Sequence, residues 1–321
     1  MNWYIAGFLM ALAISYLATP WVRKLALRLN IMAHPGGRRV HSQPMPLWGG
    51  IAIYAAFVVT CLIIARFAGH SAGNTTLMIG VVVSSAFIVI IGLVDDMKEL
   101  SAGTQSLAII CAAIILMTFG IRIQFLSNPF GHSPIIHLPI IVSWILTLVW
   151  VFALTKMVDF MDGLDGLAAG IGAIAAGVLA IMAYYAGQIP VALMAATLSG
   201  ACIGFLRFNF NPAKIFMGTG GSQFIGFTLA TISIIGAFKV AAAMAIALPI
   251  LVFGVPIFDG IFVIIKRFRD RRPLYVADRS HLHHRLLDRG LSHKQTVLVI
   301  YTICLFLGGT AVFALIWMIK R

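Results

Sequence analysis

Long apolar runs dominate this chain. Stretches able to cross a bilayer, about 17–25 residues when straight, can be laid out ten times. They lie near 2–20, 48–67, 76–94, 104–120, 138–156, 166–186, 190–206, 222–238, 240–265 and 296–318. Backbone polar groups inside a bilayer must be satisfied within the segment, so such runs become helices. The expected fold class is an all-α polytopic membrane protein of about ten transmembrane helices, forming one domain over 1–321. Runs 104–120 and 222–238 are short, and 240–265 carries Pro249 and Pro256, so it is expected to be kinked or broken. Only 10% of residues are charged, against about 25% in soluble domains. Cys61, Cys111, Cys202 and Cys304 sit inside apolar runs without metal-binding spacing and read as small packing residues.

The first run has no basic residues before it; Arg23, Lys24 and Arg28 follow it. That order argues against a cleavable signal and puts the N-terminus outside, with the first loop in the cytoplasm. Cytoplasmic loops then fall near 21–47, 95–103, 157–165, 207–221 and 266–295. Together with flanking Lys156 they collect 18 of the 23 lysines and arginines, which the positive-inside rule requires. The net charge of +13 is thereby explained without nucleic acid. The acids follow the same side although that rule does not govern them. Nine of ten lie on or beside these loops; Asp259 lies about two turns inside the last inward-running segment. A transporter places ionisable groups nearer the midplane and is often built from repeats. Neither feature appears here, and the one-sided acids suit chemistry on a soluble substrate meeting a lipid head group.

The densest acidic stretch is M-V-D-F-M-D-G-L-D-G-L-A-A-G, from Met157 to Gly170. Asp159, Asp162 and Asp165 recur every three residues, so helical spacing would put them on roughly one face. Their repulsion calls for a metal ion, basic side chains or a basic substrate. G-L-V-D-D-M-K-E-L-S places Asp95 and Asp96 where a membrane helix ends, an unfavourable position for acids. Metal binding or proton abstraction would explain the pair, as would a salt bridge to Lys98. H-P-G-G-R-R-V-H-S-Q-P-M-P-L-W-G-G offers Arg38, Arg39 and His41 to phosphate. R-F-N-F-N-P-A-K-I-F-M-G-T-G-G-S ends in glycines before an apolar helix, whose amides could receive phosphate or form a plain turn. D-R-S-H-L-H-H-R brings His281, His283 and His284 beside Arg279 and Arg285. Neighbouring arginines favour anion binding or acid–base work over zinc.

In this order and combination, R-R-V-H-S-Q-P-M-P-L-W-G-G, G-L-V-D-D-M-K-E-L-S, D-G-L-D-G-L-A-A-G, N-P-A-K-I-F-M-G and H-L-H-H-R-L resemble the polyprenyl-phosphate N-acetylhexosamine-1-phosphate transferase family (glycosyltransferase family 4). The H-L-H-H form preceded by A-D-R is similar to its GlcNAc-transferring branch rather than the muramoyl-pentapeptide branch. The resemblance implies a multi-pass enzyme of the inner membrane, with both termini outside and its active site facing the cytoplasm. A bent ninth helix would open a lipid-side groove. The implied reaction moves GlcNAc 1-phosphate from a UDP-sugar to undecaprenyl phosphate, releases UMP and starts a cell-envelope polysaccharide. Its implied cofactor is Mg²⁺ or Mn²⁺; a homodimer is compatible with the class.

The catalytic set is read as Asp95, Asp96, Asp162, His283 and His284; the resemblance implies Asp95, Asp96 and Asp162 for the metal, and Asp159, three residues before Asp162, joins the metal set because both could face one ion. Substrate binding falls to Arg38, Arg39, His41, Lys156, Asp165, Asn209, Lys214, His281 and Arg285. The chain departs from the family pattern at three places. Lys156 and Asp159 replace asparagines, and Thr219 replaces a metal-binding acid within M-G-T-G-G-S. Three readings follow: Asp159 supplies the carboxylate that Thr219 lacks, the enzyme is active with a site adapted in another way, or the chain is a non-catalytic relative that binds polyprenyl phosphate or regulates a partner.

Overall fold

A computed structural model of the chain describes residues 3–33, 44–68, 75–127, 135–236, 248, 250–271 and 281–320. The helices are α1 (Trp3–Arg28), α2 (Gly50–Ala68), α3 (Thr75–Lys98), α4 (Ala102–Thr118), α5 (Ile140–Phe160), α6 (Leu167–Tyr185), α7 (Ile189–Asn209), α8 (Thr219–Ile235), α9 (Gly254–Arg269), α10 (Leu282–Asp288) and α11 (His293–Ile319). Among the described residues, seven are long and apolar enough to cross a membrane: α1, α2, α3, α5, α6, α7 and α11. Helices α4 and α8 are apolar but shorter. The chain is an all-α polytopic membrane protein.

The segment expected at 240–265 is interrupted. Phe253 leaves the helical region (φ −95°, ψ 19°) and α9 restarts at Gly254. Pro256 lacks the N–H that would bond the carbonyl of Val252, so the break falls where that carbonyl loses its partner. Two short antiparallel pairings, β1 (Met32–Ala33) with β2 (Met45–Pro46) and β3 (Phe125–Ser127) with β4 (Ile135–His137), were not anticipated from sequence.

The core is built from helices that meet through small residues. Along α1, Gly7, Ala11, Ser15 and Thr19 are buried at four-residue spacing, giving one narrow face. That face lies on α7, where Gly200 and Gly204 approach the backbone of Phe8 and Leu12. Close backbone approach through small residues is the packing mode available where lipid removes the hydrophobic drive between helices. Helix α8 is central: every residue from Gly220 to Ile234 is buried. Its first turn is wedged between two others, with Gly220 against Gly92 of α3 and Gly221 against Gly50 of α2. Gly220 and Gly221 of M-G-T-G-G-S therefore serve a helix crossing. The first amide of α8, that of Thr219, is given to a carboxylate described below.

Candidate active site

The sequence layout put Asp95, Asp96 and Asp159 in loops. In the structure α3 continues to Lys98 and α5 to Phe160, so all three stand on final helical turns. A helix C-terminus carries partial negative charge, and acids there need donors from elsewhere. Asp95 is buried and finds them locally: Oδ1 accepts from the Leu100 amide at 2.8 Å and from Gln105 Nε2 at 2.9 Å. Asp96 finds one across the bundle: Oδ1 accepts from the Thr219 amide at 2.8 Å, at the positive end of α8. Its Oδ2 is buried with no hydrogen-bond partner. Gly218 (φ +75°) abuts this carboxylate, and a side chain there would collide with it.

Asp159 joins the same helix start. Its Oδ1 accepts from Ser222 Oγ at 2.6 Å; its Oδ2 accepts from Lys156 Nζ at 3.1 Å and Gln223 Nε2 at 3.3 Å. Lys156 also donates to Gln105 Oε1 at 2.7 Å. A continuous polar chain thus runs Asp95–Gln105–Lys156–Asp159–Ser222, joining α3, α4, α5 and α8. The local ion pair and the approach of Asp159 to the α8 start coexist.

Asp162 follows on the turn between α5 and α6. Withdrawal from water, and then repulsion from Asp159, Asp96 and Asp165, pushes its carboxyl up to about 7. Asp165 is held differently: its Oδ2 accepts from Asn211 Nδ2 at 2.9 Å and the Ala213 amide at 3.1 Å. Asn209, buried, accepts from the Gly166 amide and donates to the Ile215 carbonyl, both at 3.0 Å. Asp165 and Asn209 therefore tie the acidic turn to the 209–215 loop. Lys214 is exposed, and its carbonyl accepts from Arg23 Nε at 2.9 Å. Arg38, Arg39 and His41 lie outside the described residues.

The histidines close over this turn. His283 Nε2 would lie 2.5 Å from a Cβ placed on Gly163, between Asp162 and Asp165. Burial, helped by neighbouring His284 and His281, lowers the His283 imidazole to about 3. A ring so placed is held toward its neutral form, which leaves it one donor and one acceptor nitrogen. His284 is buried, with its ring centroid 4.3 Å from that of His283. Arg285 places its guanidinium carbon 4.3 Å over the Phe262 ring. Beside it lies a cavity of about 290 Å³ between α9, α10 and α11, walled by Phe258, Phe262, Ile303 and Leu307, with Asp259 and Arg285 in its lining.

Several contributors escaped sequence reading. Gln105, Ser222 and Gln223 are polar residues inside apolar helices, and that isolation was the available signal. Asn211, Asp259 and Tyr301 act across 46, 22 and 135 residues of chain, and spacing cannot reveal them.

Among the described residues, no three carboxylate, histidine or cysteine side chains converge tightly enough to form a ready-made metal cage. The donors nevertheless suit a hard divalent cation. Asp96 keeps one buried oxygen without a partner, and Asp162 is crowded by three carboxylates. Asp95 and Asp159 already spend oxygens on protein donors.

The glycosyl transferase family 4 profile matches residues 78–237, which hold the five aspartates, Lys156 and the start of α8. Over 320 residues the chain is 34% identical to "Probable undecaprenyl-phosphate N-acetylglucosaminyl 1-phosphate transferase" of Bacillus subtilis, covering 98% of this chain and 86% of that protein. The chain belongs to glycosyl transferase family 4. Another member, the decaprenyl-phosphate N-acetylglucosaminephosphotransferase of Mycolicibacterium smegmatis, is 39% identical over 91% of this chain and 77% of its own. The phospho-N-acetylmuramoyl-pentapeptide-transferase of Bacillus velezensis is 28% identical over 98% and 97%. The two relatives above with N-acetylglucosamine names are more identical to the chain than this muramoyl one, although others with such names, at 26% and 24%, are not.

Proposed function

We propose that this protein transfers GlcNAc 1-phosphate from UDP-GlcNAc to undecaprenyl phosphate and releases UMP. The observation that carries the reading is that Asp96 and Asp159 both bond the start of α8, with Asp162 near enough to be repelled by both and Asp95 linked to Asp159 through Gln105 and Lys156, inside the region matching the family. The relatives' transferase names support the activity, and the non-catalytic alternative is not favoured.

Joining a phosphomonoester to a pyrophosphate brings several negative charges together. Asp96 and Asp162 would hold a Mg²⁺ or Mn²⁺ ion; when bound, it offsets that charge and stabilises the departing nucleotide phosphate. Asp159, beside position 219 through Ser222, supplies the carboxylate missing from Thr219, and Lys156 limits the excess negative charge. His283 and His284 hydrogen-bond the substrate over the acidic turn. The cavity along α9 takes the first isoprenoid units, with Arg285 at the phosphate end. Such transfer depends mainly on positioning and electrostatics. The orientation that fits the basic residues is ten spans, both termini outside, and this site on the cytoplasmic face of the inner membrane.

The test is purified protein with labelled UDP-GlcNAc, undecaprenyl phosphate and Mg²⁺, scored for lipid-linked product and nucleotide. Stoichiometric UMP is expected. Stoichiometric UDP would mean ordinary glycosyl transfer and remove the proposal.

A further inference from the structure

Asp259 has no part in the acidic cluster, yet it is among the most enclosed charges in the chain. It sits in α9 with its side chain 3% exposed, and both oxygens are used. Oδ1 accepts from the Leu282 amide at 2.6 Å, and Oδ2 lies 2.8 Å from His281 Nδ1. The first bond holds the start of α10, the helix that carries His283, His284 and Arg285. The second fixes a ring. With Asp259 accepting, the Nδ1 facing it carries the proton, and in a neutral ring the lone pair then falls to Nε2. The His281 ring also lies 5.7 Å from Phe160 and stacks parallel to His283 (5.7 Å, 8°), which itself lies beside Gly163. His281 is therefore one ring away from the acidic turn, while its carboxylate partner lines the apolar cavity.

We propose that Asp259 is a positioning residue for the transfer, holding His281 so that Nε2 accepts a proton from the lipid phosphate. The inference rests on the phosphate-transfer reading above. A phosphomonoester brought near five aspartates is favoured in its monoprotonated form. Nε2 takes that proton. The freed oxygen bonds to the sugar-bearing phosphorus as the phosphorus–oxygen bond to UMP breaks. The proton then passes from Nε2 to the UMP phosphate or to water. Asp259 offsets the imidazolium in between, the division of labour that carboxylate–imidazole pairs use in hydrolases.

Asp259→Asn separates this role from simple capping. The amide oxygen can still accept from Leu282, but its NH₂ donates to Nδ1 and moves the imidazole proton to Nε2. In the full-length protein with ¹⁵N-labelled histidine, the His281 resonance, assigned by its loss in His281→Gln, should report an Nδ1-protonated ring. Asp259→Asn should switch it. Turnover should fall by about 10²–10⁴-fold, the usual worth of general acid–base catalysis, with unfolding temperature kept and with partial recovery in Asp259→Glu. The double variant Asp259→Asn, His281→Gln should lose no more than either alone. Normal turnover in Asp259→Asn with loss in Asp259→Ala would reduce Asp259 to a cap and overturn the proposal. An Nε2-protonated ring in the parent protein would do the same. If the parent makes no lipid-linked product from UDP-GlcNAc, the functional reading fails, while the resonance still decides the tautomer.

Discussion

Gly92→Ala should damage the site without altering any group in it. A Cβ at position 92 would lie 2.5 Å from Gly220 N and 3.0 Å from the Thr219 carbonyl carbon. These are backbone atoms of α8, so no side chain can swing aside. Gly220 Cα is nearer still, and ordinary contact begins near 3.4 Å, so α3 and α8 must part by about 1.1 Å. Taken along the Asp96–Thr219 hydrogen bond, now 2.8 Å, that separation carries it past 3.5 Å and breaks it. Overpacking of this kind costs about 1–3 kcal/mol, and an ångström of misplacement can cost about 10²-fold in rate. Unfolding in detergent should move down by several degrees, and UMP release should fall by about 10²-fold. Gly103→Ala is the control: its Cβ would meet only Ser101 Oγ at 3.7 Å, and turnover should not change. A Gly92→Ala protein with parental turnover would refute the idea that this crossing sets the Asp96 geometry.

Three further outcomes follow from the carboxylate and histidine environments. Asp159→Asn should lower turnover by at least about tenfold and raise the Mg²⁺ requirement, with partial rescue by Thr219→Asp; unchanged rate and Mg²⁺ dependence would reduce the Lys156 contact to a weak ion pair. Asp162 keeps its proton to about 7, against 3.8 in an unfolded chain, so its contribution to stability is lost as pH rises through that window. Asp162→Asn in metal-free detergent should therefore unfold later than the parent at pH 8, with the gap closing by pH 4; a pH-independent offset would contradict this. His283 is depressed from 6.5 to about 3, so its contribution is present above 6.5 and lost as pH falls toward 3. His283→Gln should flatten that acid side of the stability profile, and an unchanged acid slope would count against it.

The acids were legible because chemistry and spacing coincide. Five aspartates in two short stretches, flanked by apolar runs, leave few explanations. Their helical placement was harder, since polarity marked 95–96 and 157–165 as loops while the helices run on through Lys98 and Phe160. The turns continue there because donors from α4 and α8 reach those carboxylates, which one stretch of sequence cannot disclose. Glycines 218, 220 and 221 carried a similar ambiguity. A loop that admits phosphate and a helix start that admits another helix require the same small residues. Asp259 looked like an isolated intramembrane acid because its partner, His281, is 22 residues away.

The hydroxyl of Tyr301 on α11 donates to the Gly166 carbonyl at 2.5 Å, and its ring fills the space above Gly170. These partners are 135 residues apart. During synthesis the acidic turn therefore emerges, and its flanking helices can insert, long before its last brace exists. A ribosome stalled after α9 would hold every aspartate discussed above and still lack the helix that fixes the turn. The turn is thus made early and braced late, whereas its neighbours along α6 are joined as they are made.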